Sequence, residues 1–283
     1  MAIVNEEEIK EKEIIEVACG AAVAAKDAPQ ITGKAEIHTK IFTGEDIKPM
    51  VEMLKVFSGE KGERSAFIYG DYLVAKKIIE SGETHAVLLI GSKFSPSDLG
   101  WDCGACGFNS CAEFNKYINE NKGMGMFGYG PSCHWKVIDF GIALSQASAY
   151  IYSRNIDSRV QASYGVAGLL LDYLPGCDVV MGISIGPVGK SIWCEWYNRP
   201  DLKYSFRKSD VYGALMRVFP FHFSGFPGGG NPLIKIDDNW FWDPHFPAIV
   251  NVPEALDVQA KVMEEIGEVI MKYEIKKREE EEK

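Results

Sequence analysis

The sequence predicts an α+β fold, an α/β sandwich in which helices pack on a mixed central sheet, and three observations carry that prediction. Segments with helical periodicity alternate with short apolar runs rich in β-branched residues. The chain has 283 residues, 46% apolar and 25% charged, the makeup of a folded globular protein with a sizeable core. Between about residues 92 and 133 the periodicity lapses into a stretch rich in glycine and cysteine, the mark of a loop that carries chemistry.

The elements follow in order. Residues 5–26 predict a helix, with Asn5 as N-cap, glutamates at the positive end of its dipole and an alanine-rich second half, ended by Ala28-Pro29. Glu36–Thr43 has the β-branched content of a strand, and Thr43-Gly-Glu-Asp46 resembles a capping box opening a helix through Phe57, with Pro49 tolerable in its first turn. Asp71–Ser81 predicts a helix stopped by Gly82, and His85–Gly91 a buried strand. After the irregular stretch, Cys133–Arg154 predicts a long helix whose small residues Gly141, Ala143, Ser145, Ala147 and Ala149 would admit another backbone closely. Gly165–Tyr173 reads as a further helix, ended by Pro175-Gly176, and Asp178–Ile185 as another buried strand. From Lys190 the character shifts to aromatics and turns, with Trp193, Trp196, Trp240 and Trp242 forming an irregular cover. A last amphipathic helix spans Glu254 to about Lys277, with Leu256, Ala260, Val262, Met263, Ile266, Val269 and Ile270 on or near one face. The division is a core of residues 1–200, with its loop at 99–133, and an appended segment 201–283.

The net charge of −10 argues against nucleic acid or an anionic membrane as a partner. No apolar run approaches the roughly 18 residues of a membrane span. Glu6, Glu7 and Glu8 stand where a secretory signal needs basic residues, so residence in the cytoplasm is expected. Seven cysteines are an odd count in a chain too large to need disulfide staples.

Four of them, Cys103, Cys106, Cys111 and Cys133, follow the spacing C-x2-C-x4-C-x21-C. A cubane cluster needs four thiolates converging on one cage, and short spacings let a single loop supply three. Gly104 and Gly107 keep bulk away and free backbone N–H groups to face sulfur, while Cys133 gains thiolate character from the start of the long helix. Zinc, the rival, usually takes two short C-x2-C pairs, and the second pair is missing. A plant-type 2Fe-2S site has the reverse order, C-x4-C-x2-C. Four buried cysteines without metal are the bland alternative, and the spacing favours a 4Fe-4S cluster over all three.

The block LGWDCGACGFNSCAEF…GPSCHWKVIDFGIAL, with CDVVMGISIGPVGKSI further on, resembles a family of largely uncharacterised microbial proteins described as containing a ferredoxin domain, over about residues 10–200. Cys103, Cys106, Cys111 and Cys133 fall on that family's four cluster cysteines. The three-cysteine run is also similar to the 4Fe-4S module of certain electron-transport and corrinoid-reducing subunits, where Pro commonly stands in the place of His134. The scaffold resembles nitroreductase-type flavoproteins, homodimers with flavin mononucleotide at the subunit interface, through AAVAAKDAPQ, IDFGIALSQASAY and DVVMGISIGPVG. That family's Arg-rich opening helix is here Asn5–Glu16, with six glutamates against two lysines, and a flavin phosphate would be repelled there.

Cys19, Cys177 and Cys194 read as ordinary packed thiols, and His134 as a partly buried histidine beside a ligand. His222 and His245 have no partner at metal spacing, and Gly228–Gly230 lacks the context of a phosphate loop. The expected function is that of a 4Fe-4S redox protein of anaerobic or microaerobic metabolism, passing single electrons to or from a partner protein or small-molecule acceptor. A reductase acting on a small molecule, with or without flavin, and a metal-stabilised or redox-sensing module are the alternatives. A homodimer is expected from the scaffold resemblance and the small-residue helix face.

Overall fold

The N-terminal helix α1 (Glu6–Lys26) begins at Asn5, but the Asn5 side chain donates to Glu8 instead of capping the helix. The chain then enters β1 (Ile37–Thr43), a 3-10 turn (Gly44–Ile47), α2 (Lys48–Ser58), α3 (Ala66–Ser81) and β2 (Ala86–Ser92). The computed structural model describes residues 5–188, 233–234, 249–250 and 253–281. Beyond β2 lie α4 (Cys111–Asn121), a hairpin of β3 (Gly123–Met124) and β4 (Tyr129–Gly130), α5 (His134–Ser153), β5 (Ser158–Gln161), α6 (Ala162–Leu170) and β6 (Val179–Ile185). A two-stranded pair, β7 (Leu233–Ile234) and β8 (Ile249–Val250), precedes the last helix, α7 (Pro253–Glu281). The tryptophan-rich cover, Cys194, His222, His245 and Gly228–Gly230 lie outside the described residues.

The central sheet has the order β1-β2-β6-β5, and every ladder in it is antiparallel. The expected mixed sheet is therefore corrected to an antiparallel one within an α+β fold. All seven residues of β2 are buried because helices cover both faces. Val87 and Leu89 point to a core shared with α2, α3, α6 and α7, while Ala86, Leu88 and Ile90 point to one shared with α1 and α5. An uninterrupted apolar strand thus reports two covered faces and says nothing of strand direction.

Close helix packing occurs in two places. Ala18 and Ala21 of α1 share one buried core with Ala143 and Ala147 of α5, so part of the small-residue face is spent inside the protomer; Gly141, Ser145 and Ala149 remain exposed. On the other face, a Cβ at Gly165 would lie 2.0 Å from the Val180 carbonyl oxygen, so α6 rests directly on the β6 backbone. α7 seals that layer through Val262, Ile266 and Val269, and its Glu265 receives both terminal nitrogens of Arg64 at 2.6 and 2.8 Å. Ala260 and Met263, expected on the buried face, are exposed.

His85, at the entrance to β2, is buried; its Nε2 has no partner among the described residues, and burial pushes its pKa down to about 4. The unfolded chain takes up this proton near pH 6.5, the folded chain only near 4, so stability is lost as pH falls through that window. Urea unfolding at pH 7 and pH 5 is expected to show a native loss about 2 kcal/mol larger than that of His85→Leu. Equal losses in the two proteins would refute this origin of acid sensitivity.

Candidate metal centre

The irregular stretch leaves the sheet at the end of β2 and is held by side chains from distant elements. Asp178, buried immediately before β6, accepts the backbone N–H groups of Phe94 (2.8 Å) and Ser95 (2.9 Å), the Ser95 hydroxyl (3.0 Å) and Lys122 Nζ (2.6 Å). Phe94 in turn accepts the Cys133 N–H at 3.2 Å and packs edge-on against Phe140 of α5. One carboxylate therefore pins the exit from β2 and the end of α4, and through Phe94 the start of α5. Asn115 of α4 brackets Ser97 with two backbone hydrogen bonds of 2.7 Å. Buried Lys136 reaches Asp98 at 2.7 Å. A second buried carboxylate, Asp139, accepts from the backbone of Ile31 and Thr32 and ties the α1–β1 connection to α5.

These tethers bring Cys103, Cys106, Cys111 and Cys133 to the wall of one pocket, together with Leu99, Trp101, Phe108 and Trp135. Cys103 is exposed, Cys106 and Cys111 are half-buried, and Cys133 is buried. Cys133 stands at the N-cap of α5, as its sequence position predicts, with the backbone extended (φ −67°, ψ 121°). The helix that begins at Cys111 is not anticipated by periodicity, yet a local signal exists in Ser110-Cys-Ala-Glu113. The Ser110 hydroxyl accepts from Glu113 N–H at 3.1 Å, and the Glu113 carboxylate accepts from Asn109 N–H at 3.1 Å. Two of the four thiols thus sit at helix N-termini, where the dipole favours an anion.

The strongest preparation is at Cys111. The Ser97 hydroxyl donates to its sulfur (3.6 Å), and the backbone N–H groups of Asp102, Trp101 and Gly100 also face it, which together hold the thiol below its ordinary pKa. Three successive donors around one sulfur form a concave nest, and the left-handed conformations of Gly100 (φ 62°) and Asp102 (φ 46°) make it possible. Asp102 closes the turn by accepting the Cys111 N–H at 2.8 Å. Gly104 and Gly107 are also left-handed, but the Gly107 N–H bonds the Gly104 carbonyl (2.9 Å) and is not free for sulfur. At Cys103 the indole N–H of Trp135 donates at 3.2 Å.

The remaining thiols differ. Cys177 is packed under Gly91, and burial pushes its thiol up to about 11. Cys19, expected to be packed, is exposed because α1 turns Val17, Ala18 and Ala21 inward instead. His134, expected to be partly buried, is exposed at the rim of the cysteine pocket, since the first turn of α5 buries Lys136. Among the described residues no three His, Cys, Asp or Glu side chains converge as closely as a single bound ion requires, and no helix is long and apolar enough to cross a membrane.

Residues 129–195 match the model of a family described as "Uncharacterized protein containing a ferredoxin domain", a stretch that includes Cys133 and begins after Cys111. An uncharacterized protein of Archaeoglobus fulgidus is 32% identical over 189 residues, which cover 67% of this chain and 95% of that protein. No solved structure matches the chain.

Proposed function

The chain belongs to the family of uncharacterised proteins containing a ferredoxin domain, and from that premise we propose that it transfers single electrons through one 4Fe-4S cluster held by Cys103, Cys106, Cys111 and Cys133. The observation that carries the reading is the convergence of these four thiols, and of the donors aimed at two of them, on one pocket. The donor set suits the group: all-thiolate ligation, N–H and O–H groups on sulfur, and two helix N-termini that favour thiolate. Zinc usually takes two short C-x2-C pairs, and here the second pair is missing, whereas a cubane gives each of four thiolates its own iron and suits three from one loop with a distant fourth.

When bound, such a cluster stores one electron at a time. The protein does the rest. Ser97 and the nest of Gly100–Asp102 favour the thiolate form of Cys111, and half-buried Leu99 and Phe108 line the inner wall. Exposed Cys103 brings one edge of the site to the surface, where a partner protein or a small-molecule acceptor can approach. Protein purified without oxygen is expected to contain four iron and four sulfide per chain and an EPR signal on reduction. Stoichiometric zinc without iron would overturn the reading.

A bound flavin is not expected in the same preparation. The first turn of α1 presents Glu6, Glu7 and Glu8, and Lys10 is already paired with Glu6 (2.8 Å) and Glu7 (3.0 Å). A dianionic phosphate gains nothing from that helix start. Heat-released flavin measured by fluorescence should fall below about one-tenth of the chain concentration. Equimolar flavin would favour a reductase with the cluster as relay.

A further inference from the structure

Trp135 has no part in ligation, yet it is the side chain aimed most directly at a thiol of the pocket. Its indole N–H is a pure donor, and it ends 3.2 Å from Cys103 Sγ, a residue 32 positions earlier in the chain. The ring is held from two sides, by Trp101 edge-on (6.3 Å between centroids, 62°) and by His134 nearly perpendicular (5.6 Å, 86°). Packing therefore fixes where the N–H points. Cys103 is exposed, so the donor acts at the edge of the site open to solvent and to an incoming partner.

Hydrogen bonds to ligand sulfur stabilise the more negative, reduced state of an iron-sulfur cluster more than the oxidised state, and raise its potential. We infer that Trp135 is a positioning residue that sets the reduction potential of the cluster through its hydrogen bond to Cys103 Sγ, with Trp101 bracing the ring and making no such bond. This rests on the cluster reading of the four cysteines. Trp135 thereby decides which partners can reduce the protein and which it can reduce, without touching them.

The test is an EPR-monitored potentiometric titration of anaerobically purified full-length protein, dithionite supplying the electron. Trp135→Phe keeps the ring and removes the N–H; its cluster should be about tenfold harder to reduce, equivalent to about 59 mV for a one-electron couple. Tyr152→Phe, a change of an exposed aromatic on α5 outside the pocket, should titrate with the native protein. A second measurement does not depend on Trp135→Phe holding iron: in Trp101→Phe carrying indole-15N tryptophan, the reduced cluster should show a weak 15N hyperfine coupling. A native potential in Trp135→Phe, or a labelled protein without the coupling, overturns the inference while leaving the cluster in place. Native protein without iron and sulfide overturns the cluster reading itself, and this inference with it.

Discussion

Replacing Cys111 by serine is expected to strip most of the iron and sulfide from the protein, together with the broad absorbance near about 400 nm that thiolate-ligated clusters give. Serine offers a harder and far less acidic oxygen, and it forfeits the preparation at this position: the Ser97 hydroxyl and the three N–H groups of the nest favour an anion that serine does not form. A cluster held there would organise its own loop, so its loss should also expose the chain between Ser92 and Cys133. Proteolysis in that interval should quicken at least about tenfold, the consequence of about 1.4 kcal/mol of lost local stability. Cys19→Ser and Cys177→Ala should retain native iron, since Cys19 lies on the outer face of α1 and Cys177 is an inert buried thiol. Full iron and sulfide in Cys111→Ser would show that the ligand assignment is wrong.

Asp178→Ala is expected to be the most damaging substitution away from the cysteines. It leaves Lys122 and two buried backbone N–H groups without their acceptor, a loss of about 3 kcal/mol for a pair in which the carboxylate is buried and the cation is partly exposed. In a chain of this size the melting temperature should fall by about 5 °C. Because the same carboxylate pins segments leading to the thiols, iron content should fall too, although no ligand is altered. Lys122→Met removes only the cation and keeps three donors on the carboxylate, so its loss should be closer to about 1 kcal/mol. Differential scanning calorimetry with iron analysis separates these outcomes. An Asp178→Ala protein that melts with the native one would show that the loop is held by other means.

The sequence by itself determined the elements whose burial repeats locally and the thiols whose spacing is short. Helical periodicity and terminal residues place α1 and α5 within a residue of their observed bounds, and the apolar runs place β1, β2 and β6 equally well. The spacing of Cys103, Cys106 and Cys111, with Cys133 at a helix start, singles out the residues that line the pocket. These signals are local: a side chain's facing relative to its own axis, or the reach of one loop, follows from near neighbours in the chain.

Tertiary structure decided what depends on distant partners. The direction of β2 against β6 is set by how the intervening helices return the chain, and β5, four residues long and containing Arg159 and Gln161, becomes a strand only because β6 offers it an edge. Asp178 bonds across 84 residues to Phe94, Asp139 across 108 to Ile31, and Trp135 across 32 to Cys103. Each reads along the chain as an ordinary polar or aromatic residue. A hydrogen bond records where two groups meet in space, and the sequence carries that only through the completed fold.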